Sequence, residues 1–416
     1  MKAVRLMACA RWPLLLAFGV LLLLSVGSAP PEQSGRTIAP EANAIAEGNS
    51  AFALGLFAKL ENPDANQILS PFSVSSSLAM AYTGARGNTE YQMAQALQLP
   101  TNRTDVCSGM AAVLASFTNL ARGDVELNVA NALWPQSGYQ FIPEFLDSCR
   151  NYYRAVPDFV DFQANSEAAR QRINAWAERS TKGKIKSLFA PGSVSADTRL
   201  VIANAIYFKG KWASRFEKSK TRTRPFWIAS ERAVQVPMMS QKSTFLHLVD
   251  GDTQILEMPY RGAGVSMLVL LPKTRDGLAG LEARLNLENL TNWIDHLRPA
   301  EVDLLLPRFK INSRFALAPT LAGMGMRDAF DQASADFSGM TAQRPLFINL
   351  VEHAAVVEVD EEGTVAAAAT GISFGCAQRP QPATFHADHP FVFLIFDRPT
   401  RTVLFIGKVA NPGASA

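Results

Sequence analysis

Val356-Val357-Glu358-Val359-Asp360-Glu361-Glu362-Gly363-Thr364-Val365-Ala366-Ala367-Ala368-Ala369-Thr370-Gly371-Ile372-Ser373-Phe374-Gly375-Cys376-Ala377-Gln378-Arg379-Pro380 is a stretch that no single secondary structure accommodates. Its first five residues alternate as a strand, and an acidic turn follows at Glu361 and Glu362. Ala366 to Ala369 score as helix on propensity, but glycines at 363, 371 and 375 argue against a long helix. One reading is a surface loop with a helical turn. The sharper reading is a segment that is loop in one state and strand in another. Alternate residues of a strand share a face, so Thr364, Ala366, Ala368 and Thr370 would point one way, and all four are small. A strand that enters a closed sheet beneath covering helices needs small side chains, and Gly363 supplies the backbone freedom of a hinge.

Outside this stretch the composition is that of a globular protein: 416 residues, 48% hydrophobic and 19% charged. Residues 1–28 are different. Lys2, Arg5 and Arg11 lead into an apolar run from Trp12 to Val26, followed by Gly27, Ser28 and Ala29. That pattern predicts a signal peptide, and with it a secreted or extracellular address, periplasmic or cell-surface in a bacterial host. The run is shorter than the roughly 20 residues of a spanning helix. The chain carries 40 Lys+Arg and 37 Asp+Glu. Residues 1–28 hold three bases and no acid, so their removal would leave 37 against 37. No dense basic cluster stands out except Lys182, Lys184 and Lys186, which read as a solvated turn, so nucleic acid is not an expected partner. Cys107–Cys149 is a plausible disulfide, with Cys376 left over. No C-x-x-C or H-E-x-x-H spacing occurs, and neither a metal nor a cofactor is expected.

Residues 29–43 read as a disordered leader and 44–416 as a single domain. Helical periodicity runs through Phe52, Leu56 and Leu60. Ser70-Pro71 predicts a helix start; Asn88-Thr89 opens another helix, and 105–120, 143–153 and 166–179 read as further ones. Strands are expected at 125–129, 159–162, 199–208, 253–258, 265–271, 302–306, 391–396 and 402–406, with turns at 209–211 and 397–399. Helices first and strands later imply an α+β protein with large sheets.

Five ordered segments then carry a resemblance. The hinge Glu358 to Thr370, Asn204-Ala205-Ile206-Tyr207-Phe208-Lys209-Gly210-Lys211-Trp212, Phe385 to Phe391, Asn131-Ala132-Leu133-Trp134 and Thr181-Lys182-Gly183-Lys184-Ile185 all resemble serpin motifs. The chain resembles that family from about Ala44 to Pro412. The resemblance implies about nine helices packed on three β-sheets with an exposed reactive-centre loop. It also implies a suicide substrate: a protease cleaves the loop, and the acyl-enzyme is trapped as the loop enters the central sheet as a strand. About a dozen new strand residues at roughly 0.5–1.5 kcal/mol per net hydrogen bond would release on the order of 10 kcal/mol. The uncut state is then metastable, with kinetic stability.

By position the resemblance makes Glu361, Glu362, Gly363, Thr364, Val365, Ala366, Ala367, Ala368, Ala369 and Thr370 the hinge. It places Ser70, Ser73, Asn204 and His353 beneath the sheet's opening point, Trp212 where insertion begins, and Arg308 in an ion pair with Glu361. Val365 stands where Glu is common, with its side chain facing out. A Ser and a His alone suggest a hydrolase, but no G-x-S-x-G occurs. The expected reactive bond is Ala377–Gln378, with Cys376 and Arg379 as alternatives; cleavage after Arg379 is opposed by Pro380. A small residue at the cut suits an elastase- or subtilisin-like protease, and a cysteine protease remains open. Residues 105–120 hold no Lys or Arg, so no heparin site is expected, and the chain reads as a monomer. The alternative function is a non-inhibitory serpin that binds or carries a ligand. Such members tend to have bulky or charged residues where Ala366 to Ala369 stand here.

Overall fold

The computed structural model describes residues 39–60, 65–118, 125–155, 157–262, 264–362 and 381–414, with the side chains of 118, 128 and 129 left aside. Helix α1 (Pro40–Lys59) and the short strand β1 (Gln67–Leu69) come first. Helices α2 (Pro71–Tyr82), α3 (Gly87–Leu97) and α4 (Arg103–Thr118) follow. Strand β2 (Val125–Pro135) precedes α5 (Pro143–Tyr153) and α6 (Phe162–Ser180). Then come strands β3 (Leu200–Gly210), β4 (Arg222–Ala229), β5 (Arg232–Asp250), β6 (Thr253–Pro259) and β7 (Val265–Pro272). Helices α7 (Leu278–Arg284) and α8 (Leu287–His296) are followed by β8 (Arg298–Pro307), β9 (Phe309–Ala316), α9 (Ala318–Gly323) and β10 (Leu350–Val359). Strands β11 (Ala383–His386), β12 (Phe391–Asp397) and β13 (Thr402–Val409) close the set.

The described residues thus hold nine α-helices, in two hydrogen-bonded strand networks. One network has the order β2-β3-β10-β9. The other has nine strands, in the order β1-β13-β12-β7-β6-β5-β8-β11, with β4 added to β5. The 19-residue β5 changes partners along its length. Arg232 to Met238 pair with β4, Met238 to His247 with β8, and Leu246 to Asp250 with β6. Two strand groups, β4-β5-β8-β11 and β1-β13-β12-β7-β6-β5, therefore share one strand, and the three expected sheets trace as two networks.

The sheet β2-β3-β10-β9 has both faces covered. On β3, Leu200, Ile202, Ile206 and Phe208 join the main core, while Val201, Ala203, Ala205 and Tyr207 join a second core beneath α6. This is why β3 reads as a near-continuous apolar run rather than an alternating one. Helix α2 lies within the main core with all twelve residues buried. Its serines are tolerated there because they bond to carbonyls one turn back: Ser75 Oγ donates to Phe72 O, and Ser76 and Ser77 Oγ to Ser73 O.

Four expectations need correcting. The segment 29–43 is not a leader to its end, because α1 begins at Pro40, with Pro in the first turn, Glu41 beside it and Ala42 buried. Phe159 to Phe162 is not a strand: Val160 makes one isolated bridge to Gln136, and Phe162 already opens α6 behind the Asp161 cap. Lys209 and Gly210 continue β3 instead of turning. Cys107 and Cys149 are buried free thiols rather than a disulfide. Burial, then the neighbouring Cys107, pushes the Cys149 thiol up to about 12. Residues 1–28 lie outside the described residues.

Strand β13 carries a fully buried Lys408, whose Nζ donates to Glu282 of α7 at 3.0 Å. Removing one partner strands the other charge away from water. Glu282→Gln is expected to lower stability by about 3 kcal/mol, and Glu282→Leu with Lys408→Met by less. Thermal unfolding of the two variants checks the order.

Candidate functional site

The described part of the expected site lies along the junction of β3 and β10. These strands run parallel, paired from Leu350–Val201 through Val357–Phe208. Strand β10 then leads through Asp360 to Glu361 and Glu362, where the described chain stops before residue 363. Parallel pairing is slightly weaker per residue than antiparallel pairing. A chain folding back from residue 363 would run antiparallel to both strands. It would replace one parallel ladder with two antiparallel ones.

Beneath the junction Ser70, Ser73, Asn204 and His353 come together, and all four are buried. Ser70 N–H donates to His353 Nε2 at 2.9 Å, which leaves the ring proton on Nδ1, donated to Asn204 Oδ1. Asn204 Nδ2 donates to Ser73 Oγ at 2.5 Å and to Asn131 Oδ1 at 2.6 Å. Ser70 Oγ donates to Leu404 O at 2.6 Å and caps α2 through Ser73 N. Asn131 and Ser76, not foreseen as members, complete the network through the Asn131 amide. Asn131 was visible in the Asn-Ala-Leu-Trp motif of β2, where it stands opposite Asn204. No hydrolase triad is present here, since His353 accepts from a backbone amide and is sealed from solvent. The cluster links α2, β2, β3 and β10 by bonds that side chains can exchange.

At the end of the junction Trp212 Nε1–H donates to Asp360 O at 3.0 Å. The Trp212 ring stacks on Tyr260, with centroids 4.5 Å apart and planes at 13°. Gly210 allows this: a Cβ there would lie 2.5 Å from the Tyr260 ring. Glu361 is buried, with its side chain 2% exposed, whereas that of its partner Arg308 is 48% exposed. Arg308 Nη2 donates to both Glu361 oxygens at 2.7 Å, and Thr221 Oγ1 donates at 2.6 Å. Burial pushes the Glu361 carboxyl up, but the Arg308 and Thr221 bonds outweigh it and hold the group below its ordinary value. Glu362 pairs with Lys218. Glu358 pairs with Lys184 and with Lys310, both at 3.0 Å. The Thr-Lys-Gly-Lys-Ile motif thus supplies a clamp on β10 through Lys184. Thr221, Tyr260 and Lys218 had no local signature. Gly363, Thr364, Val365, Ala366, Ala367, Ala368, Ala369 and Thr370 lie outside the described residues, as do Cys376, Ala377, Gln378 and Arg379.

A closed parallel junction, a polar cluster beneath it and a strand that leads straight to Glu361 and Glu362 are the described parts of the site. The chain belongs to the serpin family: the family model described as serpin, serine protease inhibitor, matches residues 47–412. It is 41% identical over 379 residues to leukocyte elastase inhibitor A of Rattus norvegicus, covering 88% of this chain and 99% of the relative. It is 38% identical to serpin B3 of Homo sapiens, covering 89% and 100%. The solved structure of maspin superposes with a TM-score of 0.83 at 30% identity, covering 89% of this chain and all of that one. The α+β serpin fold is thereby established. The protein is a serine protease inhibitor and not an enzyme; it acts as a suicide substrate whose cleaved loop enters the sheet.

The relatives overturn one expectation. Leukocyte elastase inhibitor and serpin B3 are intracellular serpins. The signal peptide and the secreted or extracellular address are therefore withdrawn.

Burial holds His353 neutral down to about pH 3, against an ordinary 6.5. Between those values the unfolded state binds the extra proton, so this contribution is complete above pH 6.5 and is lost as pH falls toward 3. Glu352, its neighbour in β10, is pushed up to about 7 by burial and contributes with the opposite sign, losing stability as pH rises from 4.5 to 7. A difference measurement separates them. The stability gap between wild type and His353→Gln is expected to narrow steadily from pH 6.5 to pH 4 in thermal unfolding.

Proposed function

We propose that Glu361 to Thr370 form the hinge of the inserting strand and that the cut falls between Ala377 and Gln378, with Cys376 and Arg379 as alternatives. The observation that carries this reading is the parallel β3–β10 pair, with β10 leading on to Glu361 and Glu362. A strand entering there meets packed side chains on both faces, which favours the small residues Thr364, Ala366, Ala368 and Thr370. Ser70, Ser73, Asn204 and His353 serve as the exchangeable bonds under the opening. Trp212 marks its entrance, and Arg308 holds Glu361 until the hinge moves. Removing Arg308 leaves a buried carboxylate with Thr221 as its main remaining partner, so Arg308→Ala costs about 1–3 kcal/mol, more than a surface ion pair.

The target is a serine protease. We assign it to the elastase- or subtilisin-like class, because the residue at the cut, Ala377, is small and because relatives bear the name leukocyte elastase inhibitor. The inhibitor acts as a monomer, and heparin leaves its rate unchanged.

Incubation with elastase, subtilisin and trypsin, followed by denaturing electrophoresis and mass analysis of the released peptide, tests both parts. A complex that survives denaturant is expected with elastase or subtilisin, with release after Ala377. Cleavage without a complex and without a gain in thermal stability would sink the insertion reading in favour of the non-inhibitory carrier. Ala368→Arg is expected to turn the inhibitor into a substrate, raising the stoichiometry of inhibition at least about tenfold, since a buried charge opposes insertion by several kcal/mol. Unchanged stoichiometry in that variant would remove the mechanical role of the small residues.

A further inference from the structure

Between positions 209 and 224 the chain carries Lys209, Lys211, Arg215, Lys218, Lys220, Arg222 and Arg224 against the single acid Glu217. This is a longer basic run than Lys182 to Lys186. Six of these side chains are exposed, Lys211 less so. The acids nearby are already engaged. Glu217 pairs with Lys220, Glu361 with Arg308, Glu362 with Lys218, and Glu358 with Lys184 and Lys310, while the Asp360 carboxylate accepts from Glu362 N. Arg222 curls back to donate to Ser219 O and Thr221 O. Among the described residues Lys209, Arg215 and Arg224 make no ion pair, so the strip keeps a net positive field.

The strip lies beside the described chain on either side of residues 363–380. Before them, Glu362 bonds to Lys218 within the strip. After them, Asp388 O accepts at 2.7 Å from N of Trp227, which follows Arg224 in β4, just beyond the strip. Strand β4 pairs with β5 on one side, and β5 and β8 lie between it and β11, where the chain re-enters the sheet. Laterally, β4 and β11 are three strand spacings of about 4.8 Å apart in this group. A protease seated on the loop buries about 800 Å² of each partner and so reaches surface flanking the loop's ends.

We infer that the strip is a docking surface for an acidic rim beside the active site of the target protease. The inference rests on the bait-loop reading and adds selectivity to it: charge, not only the residue at the cut, decides which elastase- or subtilisin-type proteases are caught quickly. Attraction of this kind acts on the association rate and fades with salt.

The test uses the full chain and a panel of elastase- and subtilisin-type proteases of low and high isoelectric point, each with its active-site serine changed to alanine, so that only docking is read. With Arg215→Gln, Lys220→Gln and Arg224→Gln combined, association with the acidic proteases is expected to slow about tenfold at low ionic strength, and the difference to vanish in high salt. The charge-keeping set Arg215→Lys, Lys220→Arg and Arg224→Lys, expected to match wild type, controls for folding. Unchanged rates across the panel would overturn the proposal, as would a loss independent of protease charge. Strip-dependent binding of a sulfated polysaccharide that speeds association would overturn it too, in favour of a polyanion site. Intact docking with no denaturant-stable complex from the active proteases would instead overturn the bait-loop reading and leave the strip standing.

Discussion

Everything in this molecule depends on the pairing of β3 with β10, two strands that touch as parallel neighbours although their geometry would better suit a strand between them. The pairing holds the sheet closed with eight register partners, but each bond is the slanted, weaker kind. Strand β10 also leads directly into the chain that would take the intervening place. Packing on both faces keeps the pair from drifting apart, with the main core behind it and α6 in front. The fold therefore stores free energy in an arrangement that is locally well satisfied and globally not the lowest available.

Such a junction needs fastenings that hold firmly and release without leaving unpaired groups. In the function proposed for it, the cluster beneath the junction provides them with neutral hydrogen bonds among Ser70, Ser73, Asn131, Asn204 and His353, whose donors and acceptors would find new mates as strands part. Apolar packing alone would resist separation in proportion to area and could not exchange partners. At the hinge the fastening is ionic and asymmetric: Glu361 is shut away from water while Arg308 is half in it. The stacked Trp212 and Tyr260, made possible by Gly210, give that end a rigid wall.

Much of the architecture was legible because local chemistry and tertiary role agree. Ser70-Pro71 marked the start of α2, Pro143 to Tyr153 was read to the residue, and the apolar run of β3 betrayed a strand covered on both faces. The hinge acids and Ser70, Ser73, Asn204 and His353 were legible through the family resemblance, whereas Asn131 and Ser76 were not foreseen in the cluster. What escaped has no local signature. Thr221 meets Glu361 across 140 positions, and nothing around it in sequence announces the contact. Strand β5 changes partners midway, so its inward and outward positions follow no single alternation and the period-2 signal is lost. Cys107 and Cys149 read as a plausible pair, but each is a buried free thiol, Cys107 beside the hydroxyls of Thr83 and Tyr153, and burial without pairing is a common role for cysteine.

The anchorage of the loop's two ends has a practical consequence. On the far side β11 stays zipped to β8, while on the near side the chain continues from β10. After a cut the two new termini belong to different sheets. Insertion of about a dozen residues would carry one of them roughly 40 Å along the junction while the other stays where it was. The molecule is thus a ruler with two readings, and energy transfer between a pair of fluorophores flanking the cut would fall as each inhibitor is spent.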